Sequence, residues 1–212
     1  MAEPQFAYPI MLSLEGRPVV VIGGGKVALR KAQALADAGA HVYVVAPSLL
    51  PEFASDARLR CIAEPYAAKH LAGAFLVIAA TDDEAVNARV AADARAAGVL
   101  VNVVDRPALC DFIVPATVNR GRLVIAISSG GAAPSLARRL RERLEREFGE
   151  EFALYLDVMN DVRREILSRG LPEDVRRRIF ERLSEDDVLA AAREGKEELR
   201  RKVNGAINEA IP

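Results

Sequence analysis

The stretch Pro18-Val-Val-Val-Ile-Gly-Gly-Gly-Lys-Val-Ala-Leu29 decides the fold of this chain. Residues 19–22 are three valines and an isoleucine, a β-branched run that predicts a short buried strand. Gly23-x-Gly25-x-x-Ala28 follows at once, and the amphipathic residues 27–38 predict a helix. In this order the glycines let the backbone approach a pyrophosphate, and the helix N-terminus offers it free N–H groups and a partial positive charge. The stretch therefore predicts a dinucleotide-binding turn. The alternative is a glycine turn that only packs a helix against a sheet.

The first half of the chain alternates between strand and helix patterns. Strands are predicted at 19–22, 42–46, 60–63, 75–79 and 100–104, and helices at 27–38 and 84–97. Gly39 and Gly98 stand just past the two helices, where C-terminal caps belong. Strands that alternate with helices predict an α/β fold with a Rossmann-like parallel sheet.

The pattern changes after Asp105. Two extended runs, 112–118 and 123–128, predict a hairpin, and a helix is predicted at 135–148. The chain then looks all-helical, with helices at 151–168 and 172–183 and a third that begins with a capping box at Ser184. We therefore predict three domains: a dinucleotide-binding domain at 1–113, a dimerisation segment at 114–149 and a helical domain at 150–212. The helix at 135–148 carries one apolar stripe, which a second subunit would cover, and its members are Leu136, Leu140 and Leu144.

Composition excludes several classes of protein. The net charge of −1 over 212 residues gives no field that would favour nucleic acid or a membrane surface. The longest apolar runs are far shorter than a membrane span, and residues 1–9 carry no signal pattern. Cys61 and Cys110 are far apart, and without a CxxC or HExxH motif the chain predicts no metal site. We expect two buried free thiols and a cytoplasmic protein.

The candidate cofactor residues follow the predicted strands, because ligands of such sheets bind at the carboxyl ends of the strands. They are Gly23, Gly24, Gly25, Lys26, Val27, Pro47, Ser48, Thr81 and Asp82. An acid that would hold the ribose is expected about 20 residues after the glycines. Val45-Ala-Pro-Ser48 stands there instead, and no arginine is present for a 2′-phosphate. The residues therefore leave the choice between NAD and NADP open.

Asp105 directly follows the last predicted strand. A partly buried carboxylate there could act as a general base at the nicotinamide end of the cofactor, although an aspartate after a strand also commonly caps a loop. Asp82 and Asp83 precede a predicted helix, so capping is the favoured interpretation for them. His41 and His70 have no partner at a fixed spacing, and we predict structural roles for both.

Residues 128–134, Ser-Ser-Gly-Gly-Ala-Ala-Pro, form a second glycine-rich turn before a helix. Such a turn can bind anions, and Arg138 and Arg139 are the nearest arginines for a polycarboxylate. The alternative is a solvated helix whose arginines pair with interleaved glutamates. The candidate substrate-binding residues are Ser128, Ser129, Gly130, Arg138 and Arg139.

Several segments together resemble the precorrin-2 dehydrogenases, some of which are also sirohydrochlorin ferrochelatases and which form the N-terminal part of sirohaem synthases. The resemblance covers about residues 8–148. Its segments are 21–28 with Arg30-Lys31, Ala79-Ala-Thr-Asp-Asp83 with Asn87, Val101-Asn-Val-Val-Asp105, Phe112-Ile-Val-Pro115 and residues 128–137.

The resemblance implies NAD-dependent oxidation of precorrin-2 to sirohydrochlorin by a homodimer, with Asp105 as the acid/base. It also implies that iron chelation is an open second activity and that this is the stand-alone form of the enzyme. Two other functions stay open: a non-catalytic NAD-sensing or tetrapyrrole-binding protein, and an unrelated small-molecule dehydrogenase.

Overall fold

The computed structural model describes residues 8–210. Their contacts divide the chain into two compact units, one up to residue 114 and one from residue 115. The first unit ends one residue after the predicted dinucleotide-binding domain. The predicted division of the remainder at residue 149 stays a prediction.

The first unit is a five-stranded parallel sheet with helices. Its strands are β1 (Pro18–Ile22), β2 (His41–Val45), β3 (Leu59–Ile62), β4 (Leu76–Ala79) and β5 (Leu100–Val103). Helix α1 (Lys26–Asp37) connects β1 to β2, and helix α2 (Glu84–Ala97) connects β4 to β5. The links on either side of β3 carry only short 3₁₀ turns, Pro51–Ser55 and Ala68–Leu71. The predicted α/β fold is confirmed.

The strand order β3-β2-β1-β4-β5 places a switch point between β1 and β4, where the chain reverses its direction of winding. The register makes the strands end at one level, because Ile22 pairs with both Val45 and Ala79, and Ala79 pairs with Val103. The loops that carry the candidate cofactor residues therefore leave the sheet along one edge.

Each face of the sheet has its own core, because successive side chains of a strand point in opposite directions. Val19 and Val21 pack with Ala28 and Ala32 of α1, which are completely buried. Val20 and Ile22 belong to the core on the other face, which contains the apolar side of α2. Strands covered on both faces carry unbroken apolar runs, as the sequence does.

The second unit begins with an antiparallel hairpin, β6 (Ala116–Arg120) and β7 (Leu123–Ile127). Five helices follow: α3 (Pro134–Glu147), α4 (Glu151–Ser168), α5 (Glu173–Leu183), α6 (Asp186–Glu194) and α7 (Lys196–Ala210). Arg120 anchors the hairpin to α3, since its guanidinium donates to the carbonyls of Glu145 (3.1 Å) and Phe148 (2.9 Å) at the end of that helix. The last four helices share one apolar core around Ile166, Ile179 and Leu199.

Two sequence expectations are wrong in detail. The run predicted at 112–118 becomes a strand only at Ala116, and its first residue, Phe112, lies beside β5 instead, where its carbonyl accepts from the Asn102 side chain at 2.9 Å. The capping box predicted at Ser184 does not form, since the Ser184 hydroxyl donates back to the carbonyl of Phe180 at 2.8 Å.

Candidate functional site

A cleft of about 790 Å³ lies at the carboxyl edge of the sheet. All nine candidate cofactor residues line it, and so does Asp105. Residues 23–27, 47–48 and 81–82 come from the ends of three different strands, and the sheet brings them together. The cleft lies at the switch point between β1 and β4, where α/β sheets bind their ligands.

The glycine turn is packed so tightly that two of its glycines have no room for a side chain. A Cβ on Gly24 would overlap the carbonyl oxygen of Ser48, and one on Gly23 would overlap that of Ala80. Gly23 also has a φ of 137°, which other residues avoid. The loops after β2 and β4 therefore close directly on the turn, which is the close backbone packing that a dinucleotide cradle requires.

The N-terminus of α1 faces the cleft without a cap of its own. Gly25 is the N-cap residue, no side chain among residues 8–210 bonds to the first N–H groups, and the first turn contains no acid. A Cβ on Gly25 would meet open space. Free N–H groups, the positive end of the helix dipole and an open approach together suit an anion such as a pyrophosphate.

The loop after β4 is built around the side chain of Asn87, which is 7% exposed. Its amide donates to the carbonyl of Thr81 at 2.9 Å, and its Oδ1 accepts from the Thr81 hydroxyl at 2.9 Å. Asp83 caps α2 by accepting from the N–H groups of Ala85 (2.8 Å) and Val86 (3.1 Å). The capping expected of Asp83 is confirmed, and the same expectation for Asp82 is wrong, because the N-cap position belongs to Asp83. Both aspartates line the cleft.

Pro65 and Tyr66 also line the cleft, and the sequence analysis missed them. Both follow β3, so extending the strand-end rule to that strand would have found them. The Tyr66 hydroxyl donates to Asp93 at 3.0 Å. Burial and Asp93 both raise the pKa of Tyr66, so its ring stands at the cleft as a neutral phenol.

Asp105 lies in a reverse turn at the end of β5. Its φ of 58° is the only positive value for a non-glycine residue within 8–210. The side chain is exposed, so the expected partial burial is wrong. Burial lowers the pKa of Lys31 on α1, and the neighbouring charge of Asp105 opposes that shift, so the two side chains interact electrostatically.

A second cleft of about 420 Å³ shares Asp105 with the first. Arg106 and Glu84 line it and form an ion pair that joins the Asp105 turn to the start of α2. Asp105 therefore lines both clefts.

The five candidate substrate-binding residues all lie in the second unit. The Ser128 hydroxyl accepts from the N–H of Gly130 at 3.1 Å, and that of Ser129 accepts from Ala133 at 3.1 Å. Arg138 pairs with Glu142 at 2.9 Å, as the alternative interpretation of this helix expected. Arg139 is exposed.

Both histidines fit structural roles. His70 Nδ1 accepts from the N–H of Ala67 at 3.0 Å and its Nε2 lies 2.9 Å from Glu64, while His41 is exposed at the start of β2. Within residues 8–210 no three His, Cys, Asp or Glu side chains are grouped so that they could hold a metal ion. None of the helices in that range is long and apolar enough to cross a membrane.

The fold, the glycine cradle and the uncapped helix define a Rossmann-type dinucleotide-binding protein. Residues 10–116, about half of the chain, match the family described as "Putative NAD(P)-binding". The chain belongs to this NAD(P)-binding family. Residues 120–147 match a second family model, described as "Sirohaem biosynthesis protein central".

Similar proteins carry sirohaem names. The siroheme synthase of Ectopseudomonas mendocina (strain ymp) is 42% identical over 210 residues, which cover 96% of this chain and 45% of that protein. The siroheme synthase of Azotobacter vinelandii is 45% identical over 175 residues, covering 81% and 38%. The chain thus spans less than half the length of these relatives. The solved structure of SirC, precorrin-2 dehydrogenase, is 27% identical with a TM-score of 0.73, covering 94% of this chain and 98% of SirC.

Proposed function

We propose that this chain is a precorrin-2 dehydrogenase, which oxidises precorrin-2 to sirohydrochlorin with NAD as the hydride acceptor. The observation that carries the proposal is that the glycine cradle and Asp105 line one cleft. The likeness to SirC over almost the whole of both chains supports the choice of substrate.

The residues present fit a dinucleotide. Gly23 and Gly24 let the loops after β4 and β2 pack against the turn, and Gly25 leaves open space in front of the N–H groups at the start of α1, which would bind the pyrophosphate. Pro47 and Ser48 would hold the adenosine ribose, and Thr81 and Asp82 would line the path toward the nicotinamide. We propose NAD over NADP because residues 46–50, Ala-Pro-Ser-Leu-Leu, offer no cation for a 2′-phosphate.

NAD bound at the glycine turn would supply the hydride acceptor for the oxidation of the substrate. The proton that leaves with the hydride needs a base, and Asp105 supplies the carboxylate at the end of β5. Its exposure lets a large substrate reach it, and its left-handed backbone holds it on the tip of a turn. Backbone conformations of this kind cost free energy, persist only where the surrounding structure enforces them, and cluster at functional sites.

We propose that the substrate carboxylates meet the turn at 128–130 and the guanidinium groups of Arg138 and Arg139. The side chain of Arg138 is 77% exposed and pairs only with Glu142 among the described side chains. Such a surface pair is weak enough to exchange its glutamate for a carboxylate of the ligand.

We propose a homodimer that forms through the hairpin and α3. Leu136 of α3 and Val124 of β7 are each 40% exposed, although both are large apolar residues. Leu140 and Leu144 continue the stripe and are half-buried. A second copy of the chain would cover this surface, and sedimentation at micromolar concentration tests it. Cys61 is exposed and Cys110 is half-buried, so the expected burial of both thiols is wrong, but two free thiols still support our proposal of a cytoplasmic location.

The deciding experiment is anaerobic incubation with precorrin-2 and NAD. A dehydrogenase produces NADH and sirohydrochlorin in equal amounts, and the absorbance spectrum identifies the sirohydrochlorin. An NAD-sensing or tetrapyrrole-carrying protein binds NAD or precorrin-2 without producing either product. Replacing NAD by NADP tests cofactor choice. Ferrous iron added after dehydrogenation tests for chelation. An unrelated dehydrogenase would leave precorrin-2 unchanged, and that result would overturn the proposal.

A further inference from the structure

The turn that carries Asp105 is held in a conformation that its own sequence does not favour. The N–H of Arg106 donates to the carbonyl of Val103 at 3.2 Å, so Asp105 is the third residue of a four-residue turn. Its φ of 58° suits glycine or asparagine at this place. Such a conformation persists only where the surrounding structure enforces it.

The sulfur of Cys110 contacts both ends of this turn. The N–H of Val103 donates to Cys110 Sγ at 3.1 Å. The thiol proton is within reach of two carbonyl oxygens, that of Val103 at 3.2 Å and that of Arg106 at 3.4 Å. Burial raises the pKa of the Cys110 thiol, so the proton needed for this bond stays on the sulfur at neutral pH.

Neighbouring residues fix the position of Cys110 itself. β5 is an edge strand, and residues 110–112 bind its free side. Asp111 accepts from the N–H of Val101 at 3.1 Å, and Asn102 donates to the carbonyl of Phe112 at 2.9 Å. Both contacts lie on the strand before the turn, whereas the sulfur of Cys110 bonds to the first and last residues of the turn itself.

We propose that Cys110 is a positioning residue for Asp105, because its sulfur bonds to both ends of the turn at 103–106 and so fixes the direction of the Asp105 carboxylate. The thiol takes no part in the reaction and lines neither cleft. The role assigned to Asp105 rests on the proposed dehydrogenase function.

Two substitutions at Cys110 and one matched control test this. Cys110→Ala removes the acceptor and the donor, whereas Cys110→Ser keeps both on a shorter side chain. Cys61→Ala removes the other thiol of the chain, which lies exposed on β3.

Displacing a reacting group by about 1 Å costs up to about a hundredfold in rate. We therefore expect the kcat of Cys110→Ala to fall about tenfold or more with an unchanged Kd for NAD. Cys110→Ser should recover part of the rate, and Cys61→Ala should match the parent protein.

Amide hydrogen exchange tests the same bonds without turnover. In Cys110→Ala the amides of Val103 and Arg106 should exchange about tenfold faster, and that of Val20 in β1 should not change. A kcat within twofold of the parent, or unchanged exchange at Val103 and Arg106, would overturn the proposal. If the parent protein makes no sirohydrochlorin, the dehydrogenase function fails, and the exchange rates alone decide whether Cys110 holds the turn. If Cys110→Ala does not fold, Cys110→Ser serves for both measurements and should show smaller changes in the same directions.

Discussion

The two glycine-rich turns of this chain look alike in sequence and differ in structure. Each leads into a helix, α1 after residues 23–25 and α3 after residues 128–133. In the first turn, Gly23 and Gly24 lie so close to other loops that a Cβ would overlap their backbone. In the second, Gly130 and Gly131 have positive φ values of 62° and 87° but open space around them.

The turns also differ in where their N–H groups bond. None of the side chains that the structure describes bonds to the N-terminus of α1, which lines the large cleft. In the second turn the hydroxyls of Ser128 and Ser129 accept from Gly130 and Ala133. In the first turn the Gly23 N–H donates to the Val45 carbonyl at 3.0 Å, but the N–H groups at the start of α1 stay available for a ligand. The second turn uses two of its N–H groups for its own conformation. A glycine pattern becomes evidence for a nucleotide only with tight packing and unused donors.

The largest effect on the rate should come from Asp105→Asn. This substitution tests whether the reaction takes place in the cleft that the first glycine turn lines. Losing a general base typically lowers the rate by a factor of about 10² to 10⁴. NAD affinity should barely change, because the pyrophosphate binds at the glycine turn. The measurement is the rate of sirohydrochlorin formation, with the Kd for NAD determined in parallel.

Stability supplies the control for Asp105→Asn. Asparagine suits a φ of 58° at least as well as aspartate, so the free energy of unfolding should not fall. A variant that keeps near-parental turnover would mean that Asp105 only caps the loop.

Gly24→Ala compared with Gly131→Ala tests the packing difference. At Gly24 the added methyl group meets the Ser48 carbonyl, and overpacking of this kind costs about 1–3 kcal/mol of stability. At Gly131 the space is open, so only the positive φ opposes alanine, at about 1 kcal/mol. Urea denaturation measures both. Equal losses would remove the distinction between a packed and an open turn.

Gly25→Val compared with Ala133→Val tests whether the N–H groups at the start of α1, and not those at the start of α3, bind NAD. Both residues are N-caps with negative φ, of α1 and α3. Valine at Gly25 fits the free protein but occupies the approach to the N–H groups. It should raise the Kd for NAD at least about tenfold, or about 1.4 kcal/mol. Ala133→Val should leave the Kd unchanged. Unaltered NAD affinity in folded Gly25→Val would contradict the nucleotide site.

The sequence was sufficient for the parallel sheet and for the residues that its strand ends bring together. Those follow from local rules: β-branched runs form strands, and parallel strands end along one edge. It could not distinguish the two glycine turns, because the neighbours of Gly24 come from residue 48, on another strand's loop.

The left-handed backbone conformation of Asp105 could not be predicted from the sequence either. Its positive φ depends on Cys110 and the free edge of β5, contacts that no short pattern contains. The same absence of tertiary information explains why the expected burial of Asp105 was wrong. Residues 110–112 bind β5 beside the turn and leave the carboxylate outside.

Ser129→Ala should have a smaller effect on stability, and it tests the second glycine-rich turn in the same comparison of the two turns. The Ser129 hydroxyl accepts from Ala133 at the start of α3, so its loss leaves that N–H without its partner. We expect about 1 kcal/mol less stability and an unchanged Kd for NAD. Thermal unfolding and NAD titration of the same sample measure both. An altered NAD affinity would mean that the second turn takes part in cofactor binding.

The smallest expected effect is on the thermal stability of the protein at acid pH. It is tested with one aspartate from each of the two units. Hydrogen bonds from Arg182 and then Lys202 hold the pKa of Asp187 well below its ordinary 3.8, and they join α5, α6 and α7. In the first unit, hydrogen bonding to Arg58 lowers the pKa of Asp56 to about 2.

A depressed carboxyl pKa stabilises the fold fully above the unfolded value, and this contribution disappears as pH falls from about 3.8 through the folded value. Asp187→Asn should therefore lower Tm at pH 7 by about 2 °C, a small change because exposed ion pairs contribute little to stability. The difference in Tm between the variant and the parent protein should shrink below pH 4. Asp56→Asn should do less, because Arg58 is only two residues away and the pair persists in the unfolded chain. Tm values measured by circular dichroism from pH 7 to pH 2 test the order. A larger acid-sensitive loss from Asp56→Asn would contradict the expectation that the Asp187 pairs, which join three helices, stabilise the fold more than the Asp56–Arg58 pair does.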